Sequence, residues 1–83
     1  MKMANLTKEE SEQKKLGILR YIKKCRDDSH YIPSMKEISR EVGLSSSTVH
    51  GYLKAMQERG YISSTEGVTR STVLTRKGEA LIK

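Results

Sequence analysis

Apolar residues recur at three- and four-residue intervals in the first third of the chain, which is the spacing of one face of an amphipathic helix. The face consists of Leu16, Leu19 and Ile22, with Ile18 and Cys25 beside it. Before it, residues 7–10 read Thr-Lys-Glu-Glu, a capping box in which a hydroxyl and a carboxylate satisfy free amides at a helix start. The pattern predicts a first helix from this box to about Asp27.

Helical spacing stops at residues 28–33, a segment that ends in proline, and we expect a connector there with room for a two-residue strand. Residues 34–37 then repeat the capping-box order as Ser-Met-Lys-Glu. Gly43 stands where a helix commonly ends in a left-handed turn. These signals predict a short second helix over residues 35–42.

A third helix is predicted over residues 46–59. Ser45 can cap its first turn, and Gly60 can close its last turn. Between these ends the apolar positions again follow helical spacing, at Val49, Tyr52, Leu53 and Met56.

Beyond residue 60 the chain becomes rich in β-branched residues. Residues 61–65 and 68–74 straddle Glu66-Gly67, a combination that predicts a hairpin. Thr75 can cap a terminal helix over residues 76–83.

This order of elements predicts a mainly α fold with a small β-hairpin, namely a winged helix-turn-helix with a three-helix core, a two-stranded wing and a short C-terminal helix. We expect residues 1–83 to form one such domain and residues 1–6 to be disordered.

The second and third helices are predicted to form the helix-turn-helix because apolar residues occupy both of their facing sides. Ile38 and Val42 precede the turn, Gly43 permits a sharp corner, and Leu44 and Val49 follow. In such a motif the second helix protrudes and can enter the major groove of double-stranded DNA, which is about 12 Å wide.

Helical geometry then turns the opposite side of the third helix outward. We predict base contacts from Ser46, Ser47, His50 and Gly51. Hydroxyl and imidazole groups can bond base edges, and a glycine lets the helix approach the floor of the groove.

Contacts with the DNA backbone are predicted from the third helix, the start of the second helix and the wing. Free amides and a positive charge at a helix N-terminus suit a phosphate, and a wing commonly reaches the adjacent minor groove. Glu66 at the wing tip argues against deep insertion, because phosphates repel a carboxylate. The residues predicted to make backbone contacts are Ser34, Lys36, Lys54, Thr69 and Arg70.

The charge balance favours a polyanionic partner. Sixteen Lys and Arg against ten Asp and Glu give a net charge of +6, and the pI near 9.6 is typical of nucleic-acid-binding domains. One winged helix reads only a few base pairs, so we expect a homodimer on the DNA.

No motif indicates catalysis, a cofactor or a metal site. Cys25, the single cysteine, lies by the apolar face of the first helix and is expected to be a buried structural residue. His30 and His50 lack thiol or carboxylate partners at ligand spacing. No apolar run approaches the roughly 20 residues that cross a bilayer. We therefore expect a cytoplasmic protein that is not an enzyme.

Segments 32–38, 42–53 and 59–62 resemble the DNA-binding domain of the LexA repressors, and the likeness covers about residues 16–74. Its strongest part is Ser-Ser-Thr-Val-His-Gly at 46–51, because the corresponding helix in Gram-positive members reads the operator. The resemblance implies a sequence-specific bacterial or phage repressor.

Two departures from LexA limit what the resemblance implies. The turn within residues 43–53 looks one residue shorter, so operator identity is not carried over. The self-cleaving domain that follows in LexA has no counterpart in this sequence, so we expect neither its protease activity nor its dimerisation surface. Residues 74–79 are instead similar to the segment after the wing in MarR- and PadR-like regulators.

A second hypothesis remains open, in which the winged helix is a protein-interaction module, such as an antirepressor or an assembly adaptor. The two hypotheses differ in salt dependence. DNA binding should weaken steeply with salt, with a slope of about −0.9 per phosphate neutralised, whereas binding of a protein through this module should be insensitive to salt.

Overall fold

A computed structural model describes residues 7–65, 67–68 and 70–82. The helices are α1 (Lys8–Lys24), α2 (Met35–Val42), α3 (Ser46–Glu58) and α4 (Arg76–Leu81), and a π-helical turn (Cys25–Ser29) continues α1. The strands β1 (Ile62–Ser63) and β2 (Val73–Leu74) are antiparallel, with Ile62 paired to Leu74. The predicted winged helix-turn-helix order is confirmed.

Side-chain caps fix the starts of the helices. Both predicted capping boxes form, the first between Thr7 and Glu10 and the second between Ser34 and Glu37. Ser45 caps α3 as predicted. Each cap satisfies amides that have no partner within the helix, and such a cap stabilises a helix by about 1 kcal/mol.

The predicted end of α1 is wrong by a few residues. The α-helix stops at Lys24 rather than at Asp27, and the chain continues as the π-helical turn. His30 then adopts a left-handed backbone with φ of 56° and donates its N–H to the carbonyl of Cys25. This left-handed residue ends the helical segment without a glycine, and residues 30–34 contain no strand.

The wing is less regular than predicted, because only two residues of each strand pair. Beyond them the Ser71 hydroxyl replaces cross-strand backbone bonds, accepting from Thr65 N at 2.9 Å and donating to Val68 O at 2.9 Å. Arg70 has a φ of 61°, a left-handed conformation that interrupts a strand. Glu66, at the predicted tip, lies outside the described residues.

One apolar cluster joins the first three helices to the base of the wing. Its buried members are Ile18, Leu19, Ile22, Ile38, Val49, Met56 and Ile62. Within the residues described, no helix has both the length and the apolar character needed to cross a membrane.

Helix α4 packs against the base of the wing through backbone atoms. Gly78 is buried, and a Cβ at this position would lie 2.0 Å from the carbonyl oxygen of Tyr61. The Thr75 hydroxyl accepts from Gly78 N at 3.1 Å and donates to the carbonyl of Gly60. The helix ends at Leu81, earlier than the predicted end at residue 83.

Candidate nucleic-acid interface

The outer face of α3 is exposed, in agreement with the helical period. Ser46, Ser47, His50, Gly51 and Lys54 are all exposed, whereas the buried Val49 and Met56 hold the helix on the core. In the described part of the chain, the polar side chains of this face make no intramolecular hydrogen bond or ion pair. A helix rises 1.5 Å per residue, so this row of free polar groups is about 12 Å long.

The hydroxyl groups at the start of α3 divide into two pairs with different roles. Ser45 accepts from Thr48 N at 3.2 Å and donates to Thr48 Oγ1 at 3.0 Å, so these two hydroxyls serve the cap. Ser46 and Ser47 are exposed and remain available to a ligand. Four consecutive hydroxyl residues therefore supply two capping groups and two candidate reading groups.

Gly51 lies in the middle of the outer face, where the fold does not require a glycine. No atom of the described residues lies within 4 Å of the position that a Cβ would occupy, and alanine favours a helix interior by about 1 kcal/mol over glycine. Gly43 differs, because its φ of 72° ends α2 in the left-handed turn that the motif needs. Packing within the described fold therefore gives no reason for a glycine at position 51, and the bare backbone there is open to a ligand that approaches α3 from outside.

The start of α2 presents both a cation and an anion. Lys36 is exposed. Ser34 is engaged in the capping box, since its N–H donates to Glu37 Oε1 at 2.9 Å and its hydroxyl accepts from Glu37 N at 3.2 Å. The Glu37 carboxylate therefore lies where a phosphate contact is predicted, and a phosphate has to approach beside it.

Arg70 is bound within the protein. Its guanidinium forms a two-pronged ion pair with Glu37, with Nη1–Oε1 at 2.8 Å and Nη2–Oε2 at 3.1 Å, and Nη1 also donates to the carbonyl of Ile32 at 3.1 Å. Arg70 Cζ lies 5.7 Å from the centre of the Tyr31 ring. Hydrogen bonds from Arg70 lower the pKa of Glu37, and Glu37 raises the pKa of Arg70, so both groups stay charged at neutral pH.

The predicted backbone contacts thus fall into separate groups. Lys36 and Lys54 are exposed on α2 and α3, whereas Arg70 ties the wing to α2. Thr69 lies outside the described residues. The structure brings the predicted reading residues together on one helix face.

Glu37 and Tyr31 belong to this surface, although the sequence did not predict them there. The capping box reveals the position of Glu37 at the third residue of α2. No local signal connects it with Arg70, which lies 33 positions later. The aromatic ring of Tyr31 is in a connector without helical or strand periodicity, so its contact with Arg70 had no signature in the sequence.

A groove of about 460 Å³ lies between α1 and the end of α2, away from the outer face of α3. Among the residues that the structure describes, its lining includes Lys14, Arg20 and Lys24 with the single carboxylate of Glu41, and no Ser, Cys or His side chain. Among the described residues, no three His, Cys, Asp or Glu side chains are grouped so that they could hold a metal ion.

An exposed helix that follows a tight turn, with a hairpin beside it, defines a winged helix-turn-helix DNA-binding domain. Residues 3–71 match the family model of the LexA DNA binding domain. The chain therefore belongs to the LexA DNA-binding domain family. The match begins well before residue 16, where the sequence resemblance was first apparent, and includes all of α1.

Individual relatives agree with this assignment. The chain is 53% identical over 55 residues to the LexA repressor of Pelotomaculum thermopropionicum, covering 65% of this chain and 27% of that protein. It is 51% identical over 61 residues to the LexA repressor of Staphylococcus epidermidis, covering 72% of this chain and 27% of that protein. The chain thus spans little more than a quarter of the length of these relatives.

A solved structure shares the fold. The transcriptional regulator Tm0710 from Thermotoga maritima superposes with a TM-score of 0.66 at 30% identity, covering 83% of this chain and 47% of that one.

Proposed function

We propose that this chain is a cytoplasmic, sequence-specific transcriptional repressor that binds double-stranded DNA and reads the major groove with the outer face of α3. The observation that carries the proposal is the row of exposed polar groups, Ser46, Ser47 and His50, beside a glycine that the fold does not require. The name of the relatives, LexA repressor, supports repression, and the net charge of +6 suits a polyanion.

On this proposal each part of the surface has its own role. With the first turns of α3 in the groove, the serine hydroxyls and the His50 imidazole bond base edges, and Gly51 allows the helix backbone to come close. Lys36 and Lys54 contact phosphates and fix the register of the helix. The wing stands beside α3 near the flanking backbone, which its Arg70 contacts only when it leaves Glu37.

We further propose that two copies bind one operator. A single recognition helix reads few base pairs, and a second copy on a repeated or palindromic site supplies the missing specificity. Leu81 on α4 is 45% exposed and is available for contact with a second copy. Sedimentation should show a 2:1 protein to duplex complex, and a single copy on the selected duplex would contradict this part.

The experiment is selection of bound sequences from a random duplex library with the unaltered protein and with Ser47→Ala and His50→Ala. Ser29→Ala is the matched control, because Ser29 is also exposed but lies in the π-helical turn. A bond to a base edge contributes about 1–3 kcal/mol of discrimination. The two α3 variants should therefore blur the motif, while the control should retain it, with folding checked by circular dichroism.

The same selection tests the protein-interaction alternative. If no sequence is enriched at low salt and the protein instead captures a protein partner with salt-insensitive affinity, the DNA-binding proposal is wrong.

A further inference from the structure

The basic residues predicted to contact DNA phosphates are not equally available. Lys36 and Lys54 are exposed and make no ion pair in the described part of the chain. The guanidinium of Arg70 instead uses both terminal nitrogens within the protein, on Glu37 and on the carbonyl of Ile32. A cation with this many internal partners has to give up several bonds before it can bind a phosphate.

Glu37 is held as firmly as its partner. Its Oε1 accepts from Ser34 N at 2.9 Å and from Arg70 Nη1 at 2.8 Å, and its Oε2 accepts from Arg70 Nη2 at 3.1 Å. The capping box fixes the carboxylate on the first turn of α2, so Arg70 meets a preplaced acceptor. A planar guanidinium fits two carboxylate oxygens in one geometry, which makes the pair directional as well as electrostatic.

The position of the pair gives it a consequence for DNA binding. It lies at the start of α2, next to Lys36, where the phosphate backbone is expected to pass. Since the charge of Arg70 is neutralised there by a carboxylate, the wing adds little net attraction for a phosphate. Tyr31, with its ring 5.7 Å from Arg70 Cζ, holds the guanidinium from a further side.

We propose that Glu37 keeps the wing from binding the DNA backbone. Its ion pair with Arg70 prevents this cation from contacting a phosphate and holds the wing against α2 instead. Glu37 then acts as a positioning residue, and it lowers the affinity of the domain for DNA whatever the base sequence of the DNA. This inference rests on the proposed DNA-binding function, and it concerns the number of phosphates that the domain neutralises rather than the bases that it reads.

The test compares Glu37→Gln with Glu41→Gln on both the selected operator and a random duplex, over a range of salt concentrations. Gln at position 37 can still accept the capping bond from Ser34 but carries no charge. Glu41 is an exposed carboxylate at the other end of the same helix, so its loss changes the net charge equally without releasing Arg70. Glu41→Gln therefore controls for the change in net charge, and the double variant with Arg70→Gln separates the release of Arg70 from the removal of a carboxylate beside the phosphate.

We expect Glu37→Gln to bind both duplexes about threefold more tightly than Glu41→Gln and to steepen the slope of log affinity against log salt by about 0.9, the increment for one further phosphate. Arg70→Gln should leave the slope of the unaltered protein unchanged, and adding it to Glu37→Gln should abolish the gain. Equal behaviour of the two glutamine variants, or a slope that becomes shallower by about 0.9 in Arg70→Gln, would overturn the proposal.

A second measurement separates failure of this inference from failure of the proposed function. In the free protein, NMR of the Arg70 side chain should show slowed rotation and hydrogen exchange of the guanidinium that Glu37→Gln relieves and Glu41→Gln does not. A mobile guanidinium in the unaltered protein refutes the pair whatever the DNA data show. A rigid guanidinium in a protein without salt-dependent DNA binding refutes the DNA-binding function instead.

Discussion

The outer face of α3 and the wing both carry residues predicted to contact DNA, but the polar groups of α3 are free in the described part of the chain and the cation of the wing is paired. On α3, the polar side chains of Ser46, Ser47 and His50 have no partner in the described residues and face solvent. In the wing, Arg70 is bonded to α2, and the Ser71 hydroxyl is bonded to backbone atoms of the loop. Exposure alone therefore does not make a polar group available, because a partner from a distant part of the chain can already hold it.

The largest effect is expected at the base of the wing, where Gly78→Ala should break the packing of α4. The added Cβ would overlap the carbonyl oxygen of Tyr61, and the overpacking should lower the free energy of unfolding by about 3 kcal/mol. For a domain of this size the midpoint of thermal unfolding should fall by more than about 10 °C, measured by circular dichroism. Gly17→Ala is the control, since its Cβ would meet Val42 Cγ1 at an ordinary 3.9 Å.

On α3, by contrast, replacing a glycine should improve stability and impair binding. The new Cβ of Gly51→Ala meets no atom of the described chain within 4 Å, so the substitution should raise the free energy of unfolding by about 1 kcal/mol. The new methyl group should hold the helix away from the groove and weaken operator binding about tenfold. Fluorescence anisotropy with the selected duplex measures the affinity, and Gly17→Ala again serves as the control. Unchanged affinity in Gly51→Ala would show that α3 does not approach DNA closely at this position.

The salt dependence of DNA binding can show whether Lys54 contacts a phosphate. Lys54→Gln should make the slope of log affinity against log salt shallower by about 0.9, because one phosphate contact is lost. Lys24→Gln removes the same charge from an exposed position at the end of α1 and should change the slope much less. If both variants change the slope equally, Lys54 acts only through net charge and makes no contact of its own.

The smallest effect is expected for Asp27, whose charge, like that of Arg70, is paired within the protein. Asp27 binds Lys23 at 2.7 Å and Arg26 at 2.9 Å. Hydrogen bonds from Arg26 and Lys23 lower the pKa of Asp27 from 3.8 to about 2. A lowered pKa means that the pair stabilises the fold above pH 3.8 and that this stabilisation is lost as the pH falls towards 2.

Asp27→Asn should therefore destabilise the protein slightly at neutral pH, because exposed ion pairs contribute little. In urea unfolding, the difference from the unaltered protein should stay constant down to about pH 5, shrink as the pH falls further and disappear only below about pH 2. A difference that does not shrink between about pH 5 and pH 2 would show that the aspartate acts through something other than its charge.

The sequence predicted those structural features well that depend on residues close together in the chain. Capping boxes at Thr7 and Ser34 gave the helix starts, and the helical period of α3 predicted its exposed face, because both depend on residues only a few positions apart. The wing was predicted too long because β-branched residues favour strands, while the left-handed backbone at Arg70 and the hydroxyl of Ser71 ended the ladder. The pair between Arg70 and Glu37 could not be predicted, since it depends on how the wing folds back onto α2.

The separation of capping residues from candidate base-reading residues at the start of α3 has an evolutionary consequence. The side chains of Ser46, Ser47 and His50 make no hydrogen bond with the rest of the described chain, so mutation can replace them without compensating changes in the core. Ser45 and Thr48, interleaved with them, are tied to the cap and are not free to vary in the same way. After gene duplication, two copies can thus acquire separate target sites through very few substitutions, while each keeps its fold throughout.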